Sequence, residues 1–400
     1  MHPVESDSGV LPLDGVTVVD LTQVIAGPFA TQALGDMGAE VVKIEAVGRG
    51  DRCRSVPPVP EYFDTVNRNK RSVALDLKSG EGREVAHRLL DDADVFVEST
   101  KPGRTETYDL TYGDVSGVNP GIIYCSVTGF GHDSPYEDVP AWDMLIQAMS
   151  GIMSMTGEPD GPPAWSGLPS GDLAAAMYAT QSILAALYAR ERGAIDGEWI
   201  EVPMLDAAVS WLCSRAGHSF GFDEPFPRAG AHHPSIAPFG AFECADGRIV
   251  VAAGTDSLWR DLCEAIDRPD LAEDDRFGTL EDRIDRLDAL LAELEPVFAQ
   301  RTEDEWTEQL HAHGVPAGPI NDTTTVWEDE HVQRRNLHRR MEREGRTDAD
   351  VIDHPVHFAT LGTHLAIPPQ QLGESTNDLL AELGYSDAEI ARLRERDVVG

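Results

Sequence analysis

Short runs of β-branched and apolar residues alternate with helix-forming segments through the first half of the chain, and this alternation limits the fold more than any other feature. Pro28 suits the first position of a helix ending near Met37, and Ser79 suits the cap of a helix over 82–90. Strands that alternate with helices predict an α/β fold with helices covering a mostly parallel, Rossmann-like sheet. The predicted strands span 16–21, 40–45, 72–77, 95–98 and 122–127.

The second half of the chain differs in texture and predicts an additional, smaller domain. A long Ala- and Leu-rich helix is expected from Asp172 to about Arg192, followed by a strand over 198–202. Residues 217–240 are rich in Gly, Pro, His and Phe, which indicates a linker or an active-site loop. Hairpin and helix patterns follow over 242–252, 256–266 and 280–299.

These patterns predict where the domains begin and end. The large parallel-sheet domain is expected over 1–215, and a small α+β domain over 225–325. From about 335 to 400 the chain is expected to return to the large domain and to end in a helix.

The acidic excess restricts the partners of the chain. Its 70 acidic and 32 basic residues leave a formal net charge of −38 at pH 7. Such a surface repels nucleic acid and anionic lipid, so we expect neither as a partner. The charge favours a halophilic protein in a cytosol of high salt, where screening weakens self-repulsion, over an ordinary acidic enzyme. The few lysines agree with this, since there are only four, Lys43, Lys70, Lys78 and Lys101.

Cysteine use and the apolar segments favour a cytoplasmic location. The five cysteines are odd in number and form no CxxC pair, which fits a reducing compartment without disulfides or a zinc site. Residues 1–9 have neither the basic nor the apolar region of a signal peptide. The most apolar stretch, 173–188, is too short and too polar to span a bilayer.

Two segments have the composition of phosphate sites, although each also has an ordinary structural explanation. The loop and helix start over 22–29 can present amides to a phosphate or form a plain βαβ turn. It has no GxGxxG pattern, so a Rossmann-type oxidoreductase is not supported. Lys70, Arg71 and Lys78 form either a solvated face or a cluster that binds a phosphorylated ligand.

Asp172 is the one carboxylate placed for chemistry at the start of a helix. Most aspartates in this position only cap the helix. Helix-end amides also lower the pKa of a carboxylate, and Gly171 lets a substrate approach closely. An ionised carboxylate in a tight pocket can attack a thioester.

Six segments together have the order and spacing of one known family. They are LDGVTVVDLTQVIAGPFATQALGDMGAEVVKIE (13–45), NRNKRSVALDLK (67–78), VTGFG (127–131), WDMLIQAMSG (142–151), SGDLAAAMYATQSILAALYAR (170–190) and HGVPAGPINDTTTVWEDEHVQRRN (313–336). On these segments the chain resembles, nearly end to end, the class III CoA-transferases of the formyl-CoA transferase and carnitine CoA-transferase type. The resemblance implies an interlocked homodimer of two-domain chains, a CoA thioester as substrate, and no tightly bound cofactor or metal.

The resemblance also implies roles for individual residues. The nucleophile of the family falls on Asp172. A family arginine falls on Ala46, so Arg49 or Arg52 is expected to replace it, and a family asparagine falls on Ser99, which puts one CoA contact in doubt. The remaining implied CoA contacts are Gln23, Val24, Ile25, Ala26, Leu75 and Lys78, with Lys101 and Arg104 keeping the site basic.

A histidine-containing loop is the expected substrate loop. His232 and His233 lie where the family has a glycine-containing loop near the acyl group, so either one is expected to meet a substrate carboxylate or to be an ordinary packed histidine. Basic and histidine-bearing loops suit an acyl group with a second carboxylate. Succinyl-CoA as donor, with mesaconate, citramalate or malate as acceptor, is therefore the hypothesis, with oxalate and formyl-CoA or carnitine as alternatives.

Two other functions are compatible with this fold. An α-methylacyl-CoA racemase of the same fold would need a histidine where this chain has Trp142, and an indole cannot abstract an α-proton. A CoA-binding protein without catalysis would have no need of Asp172 beyond helix capping. The resemblance therefore favours a CoA-transferase that works through aspartyl anhydride and aspartyl-CoA thioester intermediates.

Overall fold

The computed structural model describes residues 9–55 and 60–400 and separates the chain into two units. The first unit comprises the residues up to Ser150, Gly167–Leu212 and His331–Gly400, and the second comprises Gly151–Ser166 and Cys213–Glu330. The segment 151–166 thus groups with the second unit, whereas the sequence patterns placed it in the large domain. Residues 1–8, which carry most of the segment weighed against a signal peptide, lie outside the described residues.

A six-stranded sheet forms the centre of the first unit. All neighbouring strands are parallel, in the order β3-β2-β1-β4-β5-β6, which is the Rossmann-type order. The predicted α/β class with a parallel sheet is therefore confirmed. The six strands are β1 Thr17–Leu21, β2 Glu40–Ala46, β3 Lys70–Leu75, β4 Val95–Glu98, β5 Ile123–Thr128 and β6 Glu198–Pro203.

Helices and an apolar core bury both faces of the central strands. Every residue of β4 and β5 is buried, which explains why these strands read as continuous apolar runs and not as alternating ones. Ser79 caps α2 as predicted, since its hydroxyl accepts a hydrogen bond from the Gly82 amide at 2.9 Å. The helices are α1 Ala26–Asp36, α2 Gly80–Leu90, α3 Tyr112–Val118, α4 Asp143–Ser150, α5 Ser170–Glu191 and α6 Met204–Ser210.

Two helices begin earlier than the sequence patterns suggested. Pro28 is the third residue of α1 and not the first, because residues in the whole first turn have amides without intrahelical partners and tolerate proline. Helix α5 begins at Ser170, so Asp172 is its third residue and does not cap it. Gly193 follows the end of α5 with a φ of 66°, as expected of a glycine beyond a helix.

The second unit is a small α+β assembly with its own apolar core. Three antiparallel strands, β7 Phe239–Glu243, β8 Arg248–Ala252 and β9 Ala317–Pro319, form its sheet. Trp259 and Trp306 are fully buried in its core. Its helices are α7 Ser214–Phe222, α8 Asp256–Ala265, α9 Pro269–Ala272, α10 Leu280–Asp285, α11 Leu287–Phe298 and α12 Glu303–Ala312, and α13 Glu330–Arg334 stands at the boundary.

Two predictions for this part of the chain were wrong in detail. The segment 217–240 is not all loop, because α7 covers it as far as Phe222. The single helix expected over 280–299 is two helices that meet at Arg286, whose φ of −121° is not helical. In both places the local pattern is compatible with the predicted and with the observed structure, so tertiary packing determines which one forms.

The C-terminal part returns to the first unit. The Asp76 amide donates to the Val398 carbonyl at 2.8 Å, which joins the chain end to the segment after β3. The elements here are β10 His338–Met341, β11 Ala349–Ile352, α14 Thr376–Glu382 and α15 Asp387–Glu395. Within the described ranges, the apolar stretches of the helices are insufficient for any of them to cross a bilayer.

Candidate active site

A cavity of about 960 Å³ opens in the first unit at the carboxyl ends of the central strands. Leu21 at the end of β1 and Ser99 directly after β4 both line it. The strand order reverses between β1 and β4, and ligands of open parallel sheets bind in the crevice at such a reversal. The cavity is thus placed and sized for a small-molecule ligand.

Most of the predicted site residues meet at this cavity. Ile25, which is buried directly before α1, does not line it. His232 and His233 belong to the second unit. The predicted residues that line the cavity are Gln23, Val24, Ala26, Arg49, Leu75, Lys78, Ser99, Lys101, Arg104 and Asp172, together with Arg52.

The carboxylate of Asp172 is buried at the cavity wall. Its residue is 9% exposed, and the backbone of Ala26 forms a hydrogen bond with the carboxylate. Burial and, next, the negative charge of Asp143 raise the pKa of Asp172 to about 7. The expectation that helix-end amides hold this pKa low was therefore wrong, because burial and a like charge outweigh the hydrogen bond. A carboxylate of raised pKa is also more nucleophilic when it ionises.

Asp143 is the site residue that sequence reasoning missed. Its Oδ1 accepts a hydrogen bond from the Gly171 amide at 2.8 Å, and its Oδ2 accepts one from Gln147 Nε2 at 2.6 Å. A Cβ atom on Gly171 would lie 2.7 Å from Ile146 Cγ2, so glycine is needed for α4 to approach the turn before the nucleophile candidate. The available signal was the position of Asp143 in one of the segments shared with the family.

Ser99 joins two loops of the cavity. Its hydroxyl accepts a hydrogen bond from the Gln23 amide at 3.0 Å. Ser99 departs from the family pattern, but its hydrogen bond still holds the loop after β1 against the loop after β4. Whether it contacts a ligand stays a prediction.

The four lysines divide into two buried and two exposed at the cavity. Lys43 Nζ lies 3.1 Å from Asp51 Oδ2, and Lys70 Nζ lies 3.0 Å from Asp20 Oδ2, with all four residues essentially inaccessible. Burial lowers the pKa of Lys70 to about 8 although Asp20 opposes this shift. Lys70 is thus structural, and the suggestion that it binds a phosphorylated ligand was wrong.

The same correction applies to Arg71. Its guanidinium pairs with Glu40 at 2.7 Å and with Glu382 at 2.8 Å, and it does not line the cavity. The positive charges at the cavity come from other residues. They are Arg49, Arg52, Lys78, Lys101 and Arg104.

The two histidines of the predicted substrate loop have aromatic neighbours. The His232 ring meets Phe242 edge-on, and the His233 ring stacks on Phe239, each at 5.6 Å between centroids. Burial lowers the pKa of both imidazoles, so both are mainly neutral at pH 7. Their contact with a substrate stays a prediction.

Known proteins of one family are similar to this chain over almost its whole length. Residues 13–376 match the family model described as CoA-transferase family III. A succinyl-CoA:mesaconate CoA-transferase of Haloarcula hispanica is 40% identical over 81% of this chain and 84% of its own. A human succinyl-CoA:glutarate CoA-transferase is 34% identical over 100% of this chain and 92% of its own. The crystal structure of a CAIB/BAIF family protein from Brucella suis, 34% identical, matches with a TM-score of 0.86 over 94% of this chain and 100% of its own.

Proposed function

The chain belongs to CoA-transferase family III and transfers CoA between carboxylic acids, and from this premise we propose that Asp172 is the covalent nucleophile. The observation that carries the proposal is the position of Asp172, whose carboxylate is buried yet lines the cavity beside a backbone amide. Its pKa near neutrality keeps a substantial ionised fraction while the site withholds bulk water.

The proposed reaction conserves the thioester energy through covalent intermediates. A carboxylate oxygen of Asp172 attacks the acyl carbon of the donor thioester, the C–S bond breaks, and CoA leaves as thiolate from a mixed anhydride. The thiolate attacks the aspartyl carbonyl, which releases the donor acid and leaves an aspartyl-CoA thioester. The acceptor carboxylate attacks that carbonyl and expels the thiolate, which then attacks the acceptor acyl carbon and frees Asp172. Exclusion of water protects both anhydrides from hydrolysis.

The phosphates of CoA are proposed to lie among the five cations of the cavity. Arg49 and Arg52 both line the cavity. This supports the expectation that one of them replaces the family arginine, at whose position this chain has Ala46. Arginine and lysine are the usual partners of phosphate, and five of them in a chain of net charge −38 make a local anion site. CoA enters as a substrate, and we propose no tightly bound cofactor.

The proposed donor is succinyl-CoA and the proposed acceptor a four- or five-carbon dicarboxylic acid. Both curated relatives described above carry names that pair succinyl-CoA with a five-carbon dicarboxylate. Mesaconate, citramalate, malate and glutarate are the acceptors to test first. His232 and His233 are proposed to meet the far carboxylate of the acyl group.

We further propose that the chain works as an interlocked homodimer in a salt-rich cytoplasm. The acidic excess and the scarcity of lysine support the high-salt setting, because screening by salt relieves the self-repulsion of such a surface. Sedimentation in molar KCl tests the dimer.

A panel of acyl-CoA donors and carboxylic acids, incubated in molar KCl and analysed by mass spectrometry of the CoA products, tests the function. Asp172→Ala is expected to abolish transfer while leaving CoA binding intact. Hydroxylamine quenching of the working enzyme should modify the peptide that contains Asp172, and transfer without that modification would refute the covalent mechanism. Exchange of the Cα proton without an acceptor acid would instead favour an isomerase, although Trp142, which lines the cavity, offers no base for it.

A further inference from the structure

A buried acid, Asp51, lies behind the wall of the cavity without lining it. It is 1% exposed, and its Oδ2 lies 3.1 Å from Lys43 Nζ. The Asp51 amide donates to Glu45 Oε2 at 2.9 Å, and Glu45 in turn is held by Arg54 at 2.6 Å. The Oδ2 atom of Asp51 is thus held by the charge of Lys43. The Oδ1 atom is free to accept hydrogen bonds from the loops of the cavity.

The second oxygen of Asp51 joins two backbone segments. Oδ1 accepts a hydrogen bond from the Val24 amide at 3.1 Å and another from the Cys53 amide at 2.9 Å. The Cys53 thiol completes the link by donating to the Val24 carbonyl at 3.3 Å. Both segments reach the cavity, one through Val24 itself and the other through Arg52.

The segment held by Asp51 has a backbone conformation that valine avoids. Val24 has a φ of 72°, in the left-handed region where a β-branched side chain is strained. Such a conformation persists only where surrounding contacts over-determine it, and strained residues concentrate at functional sites. The contacts here are Asp51 and Cys53 on Val24, Ser99 on the preceding amide, and Lys43 Nζ on the Thr22 carbonyl at 2.9 Å.

The strained segment ends at Ala26, which contacts the proposed nucleophile Asp172. Two residues after Val24, the Ala26 backbone provides the hydrogen bond to the Asp172 carboxylate, and that bond favours the ionised form. We infer that Asp51 is a positioning residue for the transfer reaction, which acts by holding the segment 22–26 so that the Ala26 amide meets Asp172. This inference rests on the proposed role of Asp172.

The experiment compares single-turnover formation of the covalent Asp172 adduct in wild-type enzyme and in two variants across pH. Asp51→Ala removes the acceptor of both amides, and we expect adduct formation about a hundredfold slower, the cost of a misplacement near 1 Å. Asp51→Asn keeps an oxygen acceptor for the two amides but loses the charge that pairs with Lys43, so it should recover part of the rate. The matched control is Asp36→Ala at the far end of α1, whose buried carboxylate accepts hydrogen bonds from Arg68 and Asn69, neither of which lines the cavity.

The pH profile separates positioning from a general loss of stability. Loss of the Ala26 hydrogen bond should move the midpoint of the Asp51→Ala profile to higher pH. Asp36→Ala should instead lower the melting temperature and leave the midpoint of the profile unchanged. The other titratable groups that act on Asp172 or feel its charge are Asp143, the Cys53 thiol and the Tyr62 hydroxyl, and they are the same in all variants.

Each outcome decides one question. An Asp51→Ala enzyme with wild-type rate and midpoint would overturn the inference, and so would an Asp51→Asn enzyme as slow as Asp51→Ala with an unmoved midpoint. If Asp51→Ala does not fold, Asp51→Leu replaces it, because leucine is close to aspartate in shape and accepts no hydrogen bond from the Val24 and Cys53 amides. A slow Asp51→Leu enzyme with its midpoint at higher pH supports the inference, and one with the wild-type rate and midpoint overturns it. A wild-type enzyme that transfers CoA without any adduct would overturn the proposed function instead, and that result is read before any variant is compared.

Discussion

The raised pKa of Asp172 has a measurable thermodynamic consequence. The folded chain holds this carboxyl at a pKa of about 7, compared with 3.8 for an unperturbed aspartate. Stability linked to this group is therefore fully present below about pH 4 and is lost as pH rises through 7, because the unfolded chain releases the proton more easily. At roughly 1.4 kcal/mol per pKa unit, the loss is about 4 kcal/mol.

Asp172→Asn removes the titration and nearly preserves the shape of the side chain. We expect the difference in unfolding free energy between this variant and wild type to be constant below about pH 4, to change by about 4 kcal/mol in favour of the variant by about pH 8, and then to level off. Differences between matched variants cancel the large pH dependence that the acidic surface contributes to both chains.

Urea unfolding in molar KCl, without CoA, measures this difference. Asp206→Asn is the control, since Asp206 lies in the first turn of α6 with an exposed side chain. This control removes one negative charge from the surface and so separates the effect of net charge from the effect of burial at Asp172. If the Asp172→Asn and wild-type stabilities instead run parallel from acid to alkaline pH, the burial and charge argument for Asp172 is refuted.

Three further predictions address the surroundings of Asp172. Asp143→Asn should shift the midpoint of pH-dependent adduct formation on Asp172 to lower pH, because a negative neighbour is lost; an unmoved midpoint would contradict this. Arg49→Met should raise the KM for the CoA thioester several-fold at unchanged kcat, and the KM should depend less on KCl than in wild type; an equal salt dependence would remove Arg49 from the phosphate site. Gly171→Ala should cost about 1–3 kcal/mol in urea unfolding, because its Cβ would meet Ile146 Cγ2; a neutral effect would show that α4 can yield.

Local rules account for the part of the structure that sequence patterns predicted. Buried parallel strands read as apolar runs, and a serine before a helix signals a cap, so β4, β5 and the Ser79 cap follow from neighbouring residues. The place of Asp172 at the start of a long helix follows in the same way, to within two residues.

Long-range pairings account for the part that sequence patterns could not predict. Lys70 looks like a phosphate ligand until the fold brings it to Asp20, a residue 50 positions earlier in the chain. The pKa of Asp172 depends on Asp143, which lies on a different helix, and Asp51 reaches Val24 only because β1 and β2 are adjacent. Charge and burial at these sites are properties of the assembled sheet, which no local window contains.

Because two lysines are buried and the other two line the cavity, amine-reactive reagents can label the cavity selectively. Lys43 and Lys70 are shielded from reagents, while Lys78 and Lys101 are exposed and line the cavity. An amine-reactive fluorophore applied to the folded enzyme will therefore attach, apart from the chain terminus, at the cavity. Its emission will report ligand occupancy without an engineered cysteine.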